Sequence, residues 1–272
     1  MRKGSGHPDH HPKVALVTGA ARRIGRAIAL DLAQQGYAIA LHYRRSEKEA
    51  KALAASIRDG GGRAVTLAAD LSRGAEVQGL LPRAARALGP IGLLVNNAST
   101  FDYDDIASAD SESWDTHFEL NLWAPLVLSQ AFADGLPEGE GGLLVNMIDS
   151  RVLNPTPRHL TYTVSKAALW SLTQSLAQAL APRVRVNAIG PGPVLPPDGQ
   201  TQAQFESRCQ RLPLRRPASL QEICAAVRFL IAAKSVTGQL MLLDGGNHLA
   251  DQGGQQPAIA AAVRTMTGNT AA

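Results

Sequence analysis

Tyr162 and Lys166 stand four residues apart in the run Tyr162-Thr163-Val164-Ser165-Lys166. On a helix that spacing places both side chains on one face, one turn from each other. A free phenol, with a reference pKa of ~10, shuttles protons poorly near neutrality. A neighbouring ammonium favours the phenolate and lowers that value, which is the tuning general acid/base work requires. By itself such a pair is commonplace and reads as a surface placement. Its company is a second motif, Thr18-Gly19-Ala20-Ala21-Arg22-Arg23-Ile24-Gly25, between an apolar run and an amphipathic pattern. Glycines in a strand-to-helix turn let backbone approach a pyrophosphate, which then rests on the N–H groups of the helix N-terminus. The spacing is not G-x-G-x-x-G, so the context carries the reading.

The third motif, His42-Tyr43-Arg44-Arg45-Ser46, ends the next apolar run. A dinucleotide enzyme selective for NAD places an acid there for the ribose hydroxyls. Two guanidinium groups and a hydroxyl suit a 2′-phosphate instead, so NADP(H) is the expected cofactor.

These motifs need elements to hold them. Apolar runs at Val14 to Val17, Ala38 to His42, Ala64 to Ala68, Leu93 to Val95, Leu143 to Met147, Val184 to Ala188 and Leu240 to Leu243 read as strands. Helical patterns alternate with them, including one long helix from about Glu112 to Ala133 and another from Tyr162 to Leu180. Continuous apolar strands alternating with helices predict an α/β fold: a Rossmann-type, doubly wound parallel sheet of seven strands, helices on both faces, in a single domain. The Pro- and Gln-rich stretch 191–216 interrupts the pattern and is long enough for a substrate lid. Residues 1–12 read as a disordered tail and 13–249 as the domain. For the extension 250–272, a frayed tail and a short docking helix are equally open.

Composition excludes several classes. The chain has 272 residues, 45% of them hydrophobic, so it can bury a core and is not mostly disordered. Its net charge is +4, but the basic residues are scattered, which argues against a nucleic-acid partner and for arginines aimed at a small anion. Cys209 and Cys224 are too few for a disulfide framework, and a reducing compartment follows. No apolar run approaches the ~18 residues of a membrane helix. No h-region follows the charged start, so a soluble cytoplasmic protein without a membrane partner is expected. His7, His10 and His11 sit in a polar tail without a scaffold and are not read as a metal site.

Over about residues 13–249 the chain resembles the short-chain dehydrogenase/reductase family. The glycine turn, Asn96-Asn97-Ala98, Asn121, Tyr162/Lys166, Pro191-Gly192 and Asp244-Gly245-Gly246 fall in the family's order. The resemblance implies a nicotinamide cofactor and frequently a homotetramer. It makes Tyr162 the proton donor and Lys166 the residue that binds the nicotinamide ribose and depresses the tyrosine pKa. Asn121 would hold a water in the proton relay, and Asn97 would support the sheet near the cofactor. Asp70 would meet the adenine, with Leu71 beside it. Gly19, Arg23, Ile24, Gly25, Ala98, Ser99, Pro191 and Gly192 complete the implied cofactor contacts.

Three departures narrow this reading. Arg23 replaces the middle glycine of the turn, and its side chain would lie across the pyrophosphate or reach a substrate edge. The serine that normally precedes the tyrosine by thirteen positions is Asp149, with Ser150 one residue later, so either could work there. Ser99, followed by Thr100 and Phe101, stands where a glycine is usual. All three coincide with the pteridine reductase branch, in which an aromatic ring stacks the pterin against the nicotinamide; Phe101 would supply it. Asp149 can accept hydrogen bonds from a pterin's amino and N–H groups and pass a proton. The resemblance therefore implies an NADPH-dependent reductase of a dihydropteridine such as dihydrofolate or dihydromonapterin, with Arg23, Ser99, Phe101, Asp149 and Tyr162 on the substrate. The competing readings are a carbonyl reductase of the same family, acting on a 3-oxoacyl thioester or small ketone, and a non-catalytic NADP(H) sensor. Arg208, Arg211, Arg215 and Arg216 in the lid keep the thioester reading open.

Overall fold

The computed structural model describes residues 11–197 and 199–250. Residues 1–10 of the expected tail, with His7 and His10, and most of the extension lie outside them. His11 lies within, its Nε2 2.7 Å from the Tyr37 hydroxyl.

Seven strands form one parallel sheet in the order β3-β2-β1-β4-β5-β6-β7, as the alternating pattern predicts. They are β1 (Val14–Val17), β2 (Ala38–Tyr43), β3 (Ala64–Ala68), β4 (Leu93–Asn96), β5 (Gly142–Met147), β6 (Val184–Pro191) and β7 (Leu240–Leu243). Eight helices connect and cover them: α1 (Arg23–Gln34), α2 (Glu47–Asp59), α3 (Gly74–Leu88), α4 (Ser111–Phe118), α5 (Ala124–Gly135), α6 (Leu160–Ala179), α7 (Gln202–Cys209) and α8 (Leu220–Ala232). No helix among the described residues is long and apolar enough to cross a membrane.

Strand residues alternate between two cores because side chains in a strand point to opposite faces. Ala15, Val17, Ile39, Val95 and Val145 face one layer with Ile28 and Leu32 of α1 and Ile223 and Val227 of α8. Leu16, Ala40, Leu94, Leu144 and Val186 face the other, with Leu80 of α3 and Leu128 and Phe132 of α5. Leu16, Leu94 and Leu144 are fully buried, each contributing about 2 kcal/mol by leaving water.

The strand order reverses between β1 and β4, which pair Leu16 with Leu94 and Val17 with Val95. Connections from these two strands depart to opposite faces, leaving a crevice beyond their carboxyl ends, where ligands bind in folds of this topology. The glycine turn, the arginine motif, Asn97 and Asp149 follow strand ends on that side, and α6 brings Tyr162 and Lys166 to them.

The long helix expected from Glu112 to Ala133 is interrupted. Between α4 and α5, Glu119–Trp123 forms a π-helical turn. Pro125 lacks the N–H that would bond the carbonyl of Asn121 four residues back, so the regular ladder cannot close there. The stretch expected as a lid contains α7, whose start is fixed by a capping box between Thr201 and Gln204; Pro191 itself belongs to β6.

Candidate active site

The turn after β1 is built for close approach. Gly19 has φ +62°, and a Cβ on Gly25 would fall 2.3 Å from the Gly19 carbonyl and 2.6 Å from Asn97 Nδ2. Only glycine lets α1 start that near the turn. The N-cap of α1 has no side-chain hydrogen bond and no acid follows in the first turn, leaving its amide N–H groups available to an anion. Ile24 is half-buried and packs on the core. Arg23 takes φ +52°, the left-handed region that usually costs a non-glycine residue about 1 kcal/mol. Its guanidinium donates to the carbonyls of Pro196 (2.9 Å) and Leu195 (3.4 Å), tying the turn to the segment after β6.

Two residues secure this turn from the neighbouring strands. Asn97 Nδ2 donates to the carbonyls of Thr18 (2.8 Å) and Gly19 (3.3 Å). Thr18 Oγ1 accepts from the N–H groups of Asn97 (2.8 Å) and Ala98 (2.9 Å). From β2, His42 Nδ1 accepts from Gly19 N at 3.0 Å, which leaves Nε2 to donate to the Ala69 carbonyl at 3.1 Å. Burial pushes the His42 pKa down to about 4, so the ring is neutral near pH 7. Sequence reasoning singled out the end of this strand for its arginines and missed the histidine, which a buried place in an apolar strand could have flagged.

At the ends of β2 and β3, Arg44 Nε lies 3.1 Å from Asp70 Oδ2. Asp70 also accepts from Ser72 N (3.1 Å) and Ser72 Oγ (2.7 Å). Burial pushes the Asp70 carboxyl up, but the Ser72 bonds and the charges of Arg44 and Arg73 outweigh it and hold it below the usual range. Leu71 turns its side chain into the core. Arg45 is exposed and makes no ion pair among the described residues. Ser46 precedes α2 as its N-cap without a side-chain bond.

The second half of the site gathers at the ends of β4, β5 and β6. Tyr162 Oη donates to Asp149 Oδ2 at 3.0 Å. Asp149 also accepts from Arg151 N at 2.9 Å, capping the short turn 150–152. The residue facing the tyrosine is thus Asp149; Ser150 is buried and its Oγ accepts from Asn247 Nδ2 at 3.3 Å. Lys166 Nζ is buried and donates to the Met147 carbonyl at 2.9 Å. Phe101 is 43% exposed, not a core ring. It stacks on His159 at 4.1 Å and meets Tyr162 edge-on at 4.6 Å, with the Arg151 guanidinium 4.9 Å from its centroid.

One expectation is overturned. Lys166 was to lower the Tyr162 pKa, yet burial first, then the charge and hydrogen bond of Asp149, push it well above the ordinary phenol value. Lys166 Nζ is 5.9 Å from the ring centroid, and burial lowers its own pKa to about 8. The site therefore holds a protonated phenol.

Asn121 sits in the π-helical turn with its amide fully engaged. Oδ1 accepts from Ser99 Oγ (2.9 Å) and Thr100 N (3.2 Å), while Nδ2 donates to Ser165 Oγ (3.1 Å) and the Thr100 carbonyl (3.3 Å). Pro191 ends β6, and Gly192 N donates to the Leu243 carbonyl at 3.0 Å.

A further polar network, without a sequence signature, anchors the start of α6. Buried Asp104 accepts from Thr161 N at 3.2 Å and from the Thr161 hydroxyl. His117 Nδ1 stands 2.7 Å from Thr161 Oγ1, and its Nε2 accepts from Asp102 N at 3.2 Å. This binds the Phe101 segment to the helix turn that carries Tyr162.

A doubly wound sheet, an open helix N-terminus at its switch point and a Tyr/Lys pair beyond β5 define a nucleotide-dependent oxidoreductase of the short-chain type. Residues 13–206 match the sequence profile of the short chain dehydrogenase family, and the chain belongs to that family. It is similar to FolM alternative dihydrofolate reductase 1 of Brucella suis, crystallised with NADP: 47% identity, TM-score 0.86, over 92% of this chain and 99% of that one. The corresponding protein of Brucella canis, also complexed with NADP, gives 47% identity and TM-score 0.84 over 91% and 97%. A 3-oxoacyl-acyl-carrier-protein reductase of Synechocystis is 32% identical over 238 residues, 86% of this chain and 96% of that protein.

The depressed His42 pKa carries a stability consequence. Between about 4 in the folded chain and ~6.5 when unfolded, the unfolded state binds more protons. Stability should thus fall as pH drops through that window, by at most ~3 kcal/mol from this group. Chemical denaturation of wild type and His42→Asn across the window should show a shallower pH slope in the variant; parallel slopes would remove His42 from this role.

Proposed function

We propose that this chain is an NADPH-dependent reductase acting on a ring C=N of a pterin-like substrate, a dihydropteridine such as dihydrofolate or dihydromonapterin. The observation that carries the reading is the Asp149 carboxylate on the Tyr162 hydroxyl, 3.0 Å apart, beside the exposed ring of Phe101. A carboxylate accepts hydrogen bonds only, and suits a heterocycle edge that presents amino and N–H donors. A ketone presents no such donors. The Brucella proteins with this likeness, named as dihydrofolate reductases and crystallised with NADP, support it.

The residues present fit the cofactor. Gly19, Gly25 and the uncapped start of α1 suit a pyrophosphate, with Arg23 at its edge. Arg45 and Ser46, with Arg44 held by Asp70, suit a 2′-phosphate. Asn97, Ala98, Ser99, Pro191 and Gly192, at and beyond the ends of β4 and β6, would flank the nicotinamide, and Lys166 would hold its ribose. When bound, NADPH supplies the hydride from its nicotinamide C4.

The chain's own work is orientation and proton supply. Phe101 offers a face to the flat substrate, and Asp149 takes its donor edge. Tyr162, kept protonated by burial and Asp149, holds the proton that the reduced ring nitrogen would take. Lys166, with a pKa near 8, is cationic at neutral pH and offsets the phenolate left behind. Asn121 fixes Ser99 and Thr100 at the mouth, and residues 192–216 close over the substrate.

A 3-oxoacyl thioester reductase is the second reading, favoured by the Synechocystis relative. Against it, the Ser150 hydroxyl is buried and bonded by Asn247.

Purified protein should oxidise NADPH with a dihydropterin, and Tyr162→Phe should abolish that turnover while leaving NADPH affinity nearly intact. Turnover with only an acetoacetyl thioester would refute the pterin site but keep the fold and Tyr162. Separately, Arg45→Ala should raise KM for NADPH about tenfold or more, the effect of one charge-assisted phosphate contact, with KM for NADH little changed. Equal effects on both cofactors would overturn the 2′-phosphate role.

A further inference from the structure

Two arginines outside the proton-transfer set each bury a nitrogen without a hydrogen-bond partner among the described residues. Arg208, on α7, is half-buried, with its guanidinium 5.5 Å from the centroid of Phe205. Its Nε is buried without a hydrogen-bond partner, and so is Nη1 of Arg151. Neither guanidinium makes an ion pair or a hydrogen bond among the described residues. Buried donors on a charged group that stay unpaired are costly, so such an arrangement persists where a ligand completes it.

The two lie in one field. Burial foremost, and then the like charges of Arg151 and Arg211, push the Arg208 pKa down, with Asp149 opposing. Asp149 does not neutralise them: its carboxylate accepts from Tyr162 Oη and Arg151 N, and it makes no ion pair among the described residues. Arg208 and Arg211 also line a cleft of about 730 Å³ with Gln200, Gln204 and Ser207. Gln200 Oε1 is a further buried atom without a partner there. The cleft thus presents cationic and amide groups, two of them with buried atoms left without a partner.

We propose that Arg208, with Arg151, forms an anion subsite that holds a carboxylate on the side chain of the substrate. This rests on the pterin reading above. The Arg151 guanidinium flanks the Phe101 ring at 4.9 Å, so an acidic side chain leaving a ring stacked there on that side would meet the charge of Arg151 and, with it, that of Arg208. Guanidinium forks match a planar carboxylate through paired hydrogen bonds, which selects substrates with an acidic tail over those with a neutral polyol chain.

The test compares NADPH-dependent reduction of dihydrofolate, whose tail carries carboxylates, with that of dihydrobiopterin, whose chain is uncharged. Arg208→Gln should lower the dihydrofolate-to-dihydrobiopterin ratio of kcat/KM about tenfold, through KM, and Arg208→Lys should restore part of it. In the wild type, added salt should raise KM for dihydrofolate more than for dihydrobiopterin, a measurement independent of how any variant folds. A ratio unchanged in Arg208→Gln, with no selective salt effect, would overturn the subsite. Wild type that reduces an acetoacetyl thioester and neither pterin would overturn the underlying reading, and the inference with it, before any variant is made.

Discussion

The site depends on a knot of hydrogen bonds at the point where the sheet changes direction. Thr18 and Asn97 end adjacent strands whose connections leave toward opposite faces, and beyond the bond from Thr18 N to the Val95 carbonyl their side chains tie the two tips together. The threonine hydroxyl accepts from two amides of the β4 end, and the asparagine amide returns two bonds to the β1 end. Each bond contributes about 1 kcal/mol net, but leaving such groups buried and unpaired would cost more. His42 adds a third strap from β2. The straps hold a turn with left-handed residues at Gly19 and Arg23, and so fix where the open end of α1 points. Anion affinity at the crevice is thereby a property of the sheet as much as of the glycines.

The other half of the crevice obeys a different constraint, the cost of charge in a buried place. Tyr162 and Lys166 are buried, with half-buried Asp149 on the phenol, and each answers by shifting or by pairing. The phenol stays protonated because a phenolate beside a carboxylate would be penalised twice, by burial and by repulsion. Lys166 keeps its charge near neutral pH only partly against burial. The proton inventory favours delivery from tyrosine, as reduction of a C=N bond needs.

Much of the fold was legible because period and length are local signals. Seven apolar runs alternating with helical patterns leave few arrangements besides a doubly wound sheet, and the strand spans differ by a few residues at most. The π-helical turn was not legible: two helices and the turn share one amphipathic pattern, and only Pro125 hints at the break. In the site, Tyr162, Lys166 and Asp149 stood out through spacing and through one acid in a serine's place. His42, Asp104, His117 and Thr161 did not, since their partners lie 15 to 57 residues away in sequence. The tyrosine pKa was misjudged for the same reason: the sequence shows a lysine four residues on, but not the depth of burial or the carboxylate beyond β5.

The central claim is that a carboxylate at position 149 decides which substrate this short-chain reductase takes. Asp149→Ser tests it most directly, read as NADPH oxidation with a dihydropterin and with a small activated ketone. The account predicts that dihydropterin turnover falls at least about 100-fold, the scale of lost acid/base assistance, while ketone reduction is kept or gained. Dihydropterin turnover within a few-fold of wild type would contradict it.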